Sequence, residues 1–242
     1  MKIIADLHTH TIACTHAYST VEEMAAGAAR AGLRAIAITD HGPVMADAPH
    51  RWHFSNLNEL PRRIHDVYIL RGIEYNTMPP CGGVDGIELR VAERMDFALA
   101  SFHEPCYPPA DERAHNIALE GILRNPYVTC FGHLGNQKFP FDHEKLISQC
   151  NAFGKIVEIN NHSLTVRKGS RDNCMDIARL CAKYRVPIVV NSDSHSAWTV
   201  GDVSGALEML EEIGFPEELV LNADLERLRR FFLDRRGIDI CG

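Results

Sequence analysis

The residues Asp6-Leu7-His8-Thr9-His10, followed closely by His16, gather imidazoles and a carboxylate at the start of the chain. Residues two apart on a strand share a side, so a strand over residues 3–10 projects Asp6, His8 and His10 together. Paired imidazoles on a rigid strand, with His16 a short loop away, suit divalent transition metals, which take borderline nitrogen donors in fixed geometry. A lone His-x-His is weak, because such short matches arise by chance. Here the other donors stand just beyond short apolar runs: His41, Glu74, His103, His133, and Asp193 with His195. Strand ends in sequence order therefore deliver His, Asp or Glu, which chance placement does not explain.

Positioning such donors requires a scaffold of parallel strands. After the first strand, the pattern predicts a helix over 21–31 capped by Ser19, a strand over 33–39 and a long pocket-shaping connection over 44–56. A helix over 57–65, a strand over 67–74 and a turn-rich loop or small hairpin over 76–88 follow. Strands over 96–103, 127–131, 155–160 and 187–191 alternate with helices over 111–124, 142–153, 171–184 and 203–213. The tail, 219–221 and 225–235, packs on as a terminal cap. Runs that are apolar on both faces, separated by amphipathic helices, indicate a parallel sheet covered by helices. Seven such units favour a barrel, with its chemistry at the carboxyl ends of the strands.

A length of 242 residues suits one domain, 1–242, and 45% hydrophobic with 24% charged residues is ordinary globular composition. The chain enters a strand at once and shows no targeting signal or membrane-length apolar run, so the expected location is cytoplasmic. Eight cysteines without a C-x-x-C pair read as reduced thiols, Cys14 as a space-filling thiol beside the donors. The net charge of -7 argues against extended nucleic acid as a partner. It does not exclude a small anionic substrate, because bound cations would be the largest local charges in the site.

The segments Asp6-Leu7-His8-Thr9-His10, Ile38-Thr39-Asp40-His41-Gly42, Gly72-Ile73-Glu74, Phe102-His103, Gly132-His133 and Ser192-Asp193-Ser194-His195 resemble the motifs of the polymerase and histidinol phosphatase (PHP) family. Within it, Thr15-His16-Ala17-Tyr18, Asp47-Ala48-Pro49-His50 and Arg167-Lys168-Gly169-Ser170 are most similar to stand-alone bacterial phosphatases of the YcdX type. The resemblance implies an α/β fold, a distorted seven-stranded (β/α)7 TIM-like barrel, holding three divalent ions, zinc first, with manganese or iron as alternatives. It also implies one ion on His8, His10, Glu74 and Asp193, a second on Glu74, His103 and His133, and a third on His16, His41 and His195. A possible homo-oligomer is implied as well. The residues after His133, Leu134-Gly135, depart from the Pro that many relatives carry there.

Clustered metals bridged by Glu74 can lower the pKa of a bridging water and stabilise a leaving alkoxide, which phosphomonoester hydrolysis requires. The expected function is thus a metal-dependent phosphatase using metal-bound hydroxide at a trinuclear site, with Asp193, Glu74 and His195 carrying catalysis and a small phosphorylated substrate. Asp6 and Asp40 are expected to orient ligand imidazoles. Lys168, Arg71 and His50 are the candidate substrate contacts, with His53 and His162 on nearby loops; His65, His115 and His143 read as solvated. The alternatives are a metal-dependent nuclease acting on terminal nucleotides, an amidohydrolase-type hydrolase, against which the lack of a strand-closing lysine counts, and, last, a non-catalytic metal-binding module.

Overall fold

The computed structural model describes residues 1–242. Its strands are β1 Ala5–Thr9, β2 Ala35–Ile38, β3 Arg63–Ile64, β4 Val67–Met78, β5 Gly83–Val84, β6 Phe97–Ser101, β7 Cys130–Phe131, β8 Ile156–Asn160 and β9 Ile188–Asn191. Seven of them pair in parallel in the order β1-β2-β4-β6-β7-β8-β9, while β3 and β5 pair antiparallel with β4 alone. The sheet nearly closes: Thr9 bridges Ser194, the His10 amide donates to the Ser194 carbonyl at 2.8 Å, and the Leu7 amide donates to Asn191 Oδ1 at 2.9 Å. This is the expected α/β barrel, and no helix is long and apolar enough to cross a membrane.

Inward-facing apolar residues fill the amino-terminal half. Ala5, Leu7, Ala35, Ala37, Leu70, Phe97, Leu99 and Ile156 form one cluster with Leu228 and Phe232 of the helix Leu225–Arg236. The Phe232 ring lies 6.3 Å from that of Phe97, so the terminal helix plugs this end, as the tail was expected to do. Outward-facing residues such as Ile36, Ile38, Ile69 and Ile73 join the larger cluster under the helices.

One irregularity in β1 decides where its side chains go. Ala5 and Asp6 pair with Ala35 and Ile36, but Thr9 pairs with Ile38, so β1 carries one extra residue between Asp6 and Thr9. Such a bulge re-aims side chains. Asp6 faces the loop after β9, where it accepts from the Gly201 amide at 2.9 Å and bonds Ser192, whereas His8 reaches Glu158 on β8. The simple alternation that put Asp6 beside His8 and His10 does not hold.

Other departures have local causes. Residues 57–65 are not a helix: Pro61 pushes Leu60 to an extended conformation, leaving a single 3-10 turn, Leu57–Glu59, before β3. The region 142–153 splits into the helix His143–Ile147 and the 3-10 turn Cys150–Phe153, which ends at left-handed Gly154. The helix Val21–Arg30 is capped by Thr20 in a capping box with Glu23 rather than by Ser19. Ser19 instead accepts from the Ala197 amide and ties down the loop after β9. The turn-rich segment does form a hairpin, β4 with β5.

Candidate metal centre

Glu74, on β4, is the hub. Its Oε2 lies 3.3 Å from His8 Nε2, 3.5 Å from His10 Nε2 and 2.8 Å from His41 Nδ1. Its Oε1 lies 3.4 Å from His103 Nε2 and 3.1 Å from His133 Nε2. Asp193 Oδ1 stands 3.4 Å from His8 Nε2, 3.2 Å from His10 Nε2 and 3.9 Å from His195 Nδ1. His16 completes the gathering at the rim, its ring 4.5 Å from His195 and 5.3 Å from His41. All nine donors inferred from the sequence thus meet at one end of the barrel.

The partners of the far ring nitrogens set the tautomers. His8 Nδ1 donates to Glu158 Oε1 at 2.7 Å, and Glu158 also accepts from the His133 backbone amide and from the side-chain Nδ2 groups of Asn160 and Asn191. His103 Nδ1 donates to Asn76 Oδ1 at 2.6 Å; Asn76 is oriented because its Nδ2 donates to the Gly42 carbonyl and to Asp85. His195 Nδ1 donates to the Asp193 carbonyl at 3.0 Å, and His16 Nδ1 is paired with Asp47. Each bond leaves the Nε2 lone pair of its ring free, the arrangement that metal-binding histidines use. Asp85 lies so close over Gly42 that a Cβ there would stand 2.2 Å from its carboxylate oxygen, which explains the glycine.

The buried polar atoms are not otherwise satisfied. His8 Nε2, both ring nitrogens of His10, His41 Nδ1 and both Glu74 oxygens lack hydrogen-bond partners, although His41 and Glu74 are close. Uncompensated polar groups of this kind are costly when buried. Burial would raise the Glu74 and Asp193 carboxyls, yet the His8 charge and neighbouring imidazoles hold both well below the usual range. Burial would lower His8, but Glu158, Glu74 and Asp193 push it well above. His10 is driven down to about 3, chiefly by burial, and His133 to about 4, by burial and then the Arg167 charge. The centre is a nest of carboxylates and imidazoles, a donor set matched to divalent cations. Donor atoms fall within 4.8 Å of one another in the groups His8-His10-Asp193, His41-Glu74-His103 and His10-His41-His195. Two of the residues, His133 (φ 28°) and Asp193 (φ 56°), hold the left-handed backbone region, strain of the kind that clusters at functional sites.

Several residues stand elsewhere than expected. Asp6 bonds Ser192 and Gly201 and orients no imidazole ring. Asp40 accepts from the Thr11 amide and hydroxyl and faces His53 Nε2 at 3.0 Å; His10 and Cys14 lie near it without a hydrogen bond to His10. Arg71 is spent on Asn58 and the Leu60 carbonyl, outside the cavity. Lys168 and His50 are exposed and do not line it. His115 is fully buried rather than solvated, its Nδ1 donating to the Pro140 carbonyl and its Nε2 accepting from the Ala110 amide. Cys14 is buried and its Sγ accepts from the His41 amide; burial pushes its thiol far up, so it is neutral.

A cavity of about 580 Å³ opens over the cluster, lined by His16, Tyr18, His41, Met45, Asp47, Glu74, His103, His162, Val166, Arg167, Asp193 and His195. Arg167 is its one guanidinium, 3.9 Å from Asp193 Oδ2 and donating to Ser163 Oγ at 2.7 Å. Reasoning from the sequence chose the neighbouring Lys168. It also passed over Glu158, Asn76, Asp85 and Asp47. The signal for Glu158 was available: a lone carboxylate inside the otherwise apolar run Ile156-Val157-Glu158-Ile159.

Comparison with known proteins agrees with this geometry. A protein of Acetivibrio thermocellus named "Probable phosphatase" is 46% identical over 96% of this chain and 95% of its own length. A protein of the same name from Shewanella sediminis is 45% identical over 98% and 96%. The crystal structure of histidinol phosphate phosphatase from Lactococcus lactis, complexed with zinc, L-histidinol and phosphate, has the same fold, with a TM-score of 0.63 at 20% identity over 89% of this chain and 95% of that one. The family model described as PHP domain matches residues 6–162, and the one described as PHP-associated matches 172–220. The chain belongs to the PHP family.

Proposed function

We propose that the chain is a metal-dependent phosphatase that hydrolyses small phosphomonoesters at a trinuclear centre, with zinc the first choice of ion. The observation that carries this reading is the convergence of buried donor atoms without hydrogen-bond partners on Glu74, beside a single guanidinium in an open cavity. His8, His10, Glu74 and Asp193 would hold one ion, Glu74, His103 and His133 a second, and His16, His41 and His195 a third. Bound there, divalent cations supply Lewis acidity and an activated water at neutral pH.

The chain's own groups do the rest. Arg167 offers the planar fork that matches phosphate oxygens. Glu158, Asn76 and Asp47 keep His8, His103 and His16 in the tautomer that presents Nε2. In the reaction the water oxygen forms a bond to phosphorus, the phosphorus–oxygen bond to the alcohol breaks, and the alcohol oxygen gains a proton. In this reading water attacks phosphorus directly, without a phosphoenzyme; the nearby thiol of Cys14 is buried and hydrogen-bonded by the His41 amide, so it is no nucleophile. No lysine lines the cavity, which leaves hydrolases built on a lysine ligand without a counterpart.

Elemental analysis of the purified protein should give roughly three ions per chain, and a phosphomonoester screen should show turnover that Asp193→Ala abolishes. Turnover by Asp193→Ala at the wild-type rate, or a trapped phosphoryl adduct on the protein, would overturn the assignment.

A further inference from the structure

The metal cavity has a neighbour. A second cavity, of about 340 Å³, shares Tyr18, His162 and His195 with the first and continues over the loops after β8 and β9. A phosphomonoester has a dianionic head and an alcohol, and a head held over Glu74 and Arg167 leaves its alcohol facing that shared wall. We propose that this second cavity is the subsite for the leaving alcohol and that it selects neutral, hydroxyl-rich alcohols of the polyol or sugar kind, as opposed to aryl alcohols or alcohols carrying a second anion. The inference rests on the phosphatase reading above.

The chemistry of the wall argues for that class. Hydroxyl groups both donate and accept, so a subsite for them needs both kinds of partner. Asn161 accepts from the Ala206 amide through Oδ1 at 2.9 Å, which leaves its Nδ2 hydrogens as donors. Thr165 Oγ1 donates to the His162 carbonyl and keeps its acceptor side. Asp202 uses Oδ1 to hold Ser204 and keeps Oδ2 as an acceptor, and Ser196 adds a further hydroxyl. Only one hydrophobic residue, Tyr18, belongs to the lining, and it stands at the junction with the metal cavity, so the rest of the wall is built from residues with hydrogen-bonding side chains, which a plain aryl group would leave unpaired. No lysine or arginine lines this cavity, and Asp202 adds a negative charge, so a second phosphate or a carboxylate would be desolvated without a cationic partner. Sites that hydrogen-bond substrate hydroxyls discriminate strongly against analogues that lack them.

The test uses the metal-loaded full chain with glycerol phosphate, hexose monophosphates, phenyl phosphate and fructose bisphosphate. Hexose monophosphates should exceed phenyl phosphate in kcat/KM by about tenfold or more, despite the better leaving group of the aryl ester. Asn161→Asp keeps the acceptor for Ala206 and replaces the donor, and it should cut that ratio about tenfold, mainly through KM. Thr165→Arg should raise the bisphosphate's kcat/KM relative to the monophosphate's. Equal kcat/KM across the panel, a wild-type preference for phenyl phosphate or the bisphosphate, or ratios untouched in both variants would overturn the subsite while leaving the phosphatase reading intact. Failure to hydrolyse any ester would overturn both.

Discussion

The two ends of the barrel are made from the same strands and obey opposite rules. Along β8, Ile156 faces an apolar plug while Glu158 and Asn160 face the metal centre; along β9, Val189 gives way to Asn191. At the amino end the inward side chains form an apolar cluster that Phe232 and Leu228 join. At the carboxyl end, buried nitrogens and oxygens are left without hydrogen bonds, and two residues hold strained backbone. Packing at one end supplies the stability that lets the other end hold groups which do not stabilise the fold by themselves.

The largest expected effects separate the ends. Glu74→Gln should lower phosphatase kcat by at least about a hundredfold, the loss typical of one preorganised electrostatic contact. In chelator-treated protein its effect on the unfolding free energy should be smaller than that of Phe232→Ala, since the Glu74 oxygens have no hydrogen bonds to lose, only the attraction of neighbouring imidazoles. Phe232→Ala should do the reverse, costing about 3–5 kcal/mol in urea unfolding while kcat below the transition stays near wild type. A large stability loss from Glu74→Gln, or a large kcat loss from Phe232→Ala, would break the division.

A smaller effect tests how the polar end is braced. Asn76 is the only acceptor for His103 Nδ1 and is itself pinned by Asp85 and Gly42. Asn76→Leu should weaken metal retention by about 10- to 100-fold in chelator competition, the range for lost partners of ligating imidazoles. Retention equal to wild type would show that packing alone orients His103.

The apolar end and the strand count were readable in the sequence because they rest on long runs, and long runs average out local exceptions. The donors at strand ends were readable for the same reason: each follows such a run. What escaped were contacts set by single irregularities. The bulge in β1 has no marker in Leu7-His8-Thr9, yet it separates Asp6 from the imidazoles. Arg167 and Lys168 are adjacent cations, and only the short helix Ser163–Val166 decides which one turns inward. Asn76 and Asp85 carry no pattern at all, because their role appears only when the β4–β5 hairpin folds back over Gly42.

The smallest expected effect concerns a buried charge near the apolar end. Lys155, just before β8, donates to the Asn125 and Val128 carbonyls, and burial, with a further push from Arg235, lowers its pKa from 10.5 to about 8. Below about 8 the ammonium is charged in both folded and unfolded chains, so its desolvation is a constant cost. Between about 8 and 10.5 the folded chain has lost this proton while the unfolded chain still binds it, so stability attributable to Lys155 rises with pH and then levels off. Lys155→Met removes the group, and other titrations cancel between the two proteins. The unfolding free energy of wild type relative to Lys155→Met should therefore climb across that window in urea titrations. Parallel curves would mean that two carbonyls solvate this ammonium as well as water does, and that even a buried charge can be made neutral to stability without the cations which the opposite end requires.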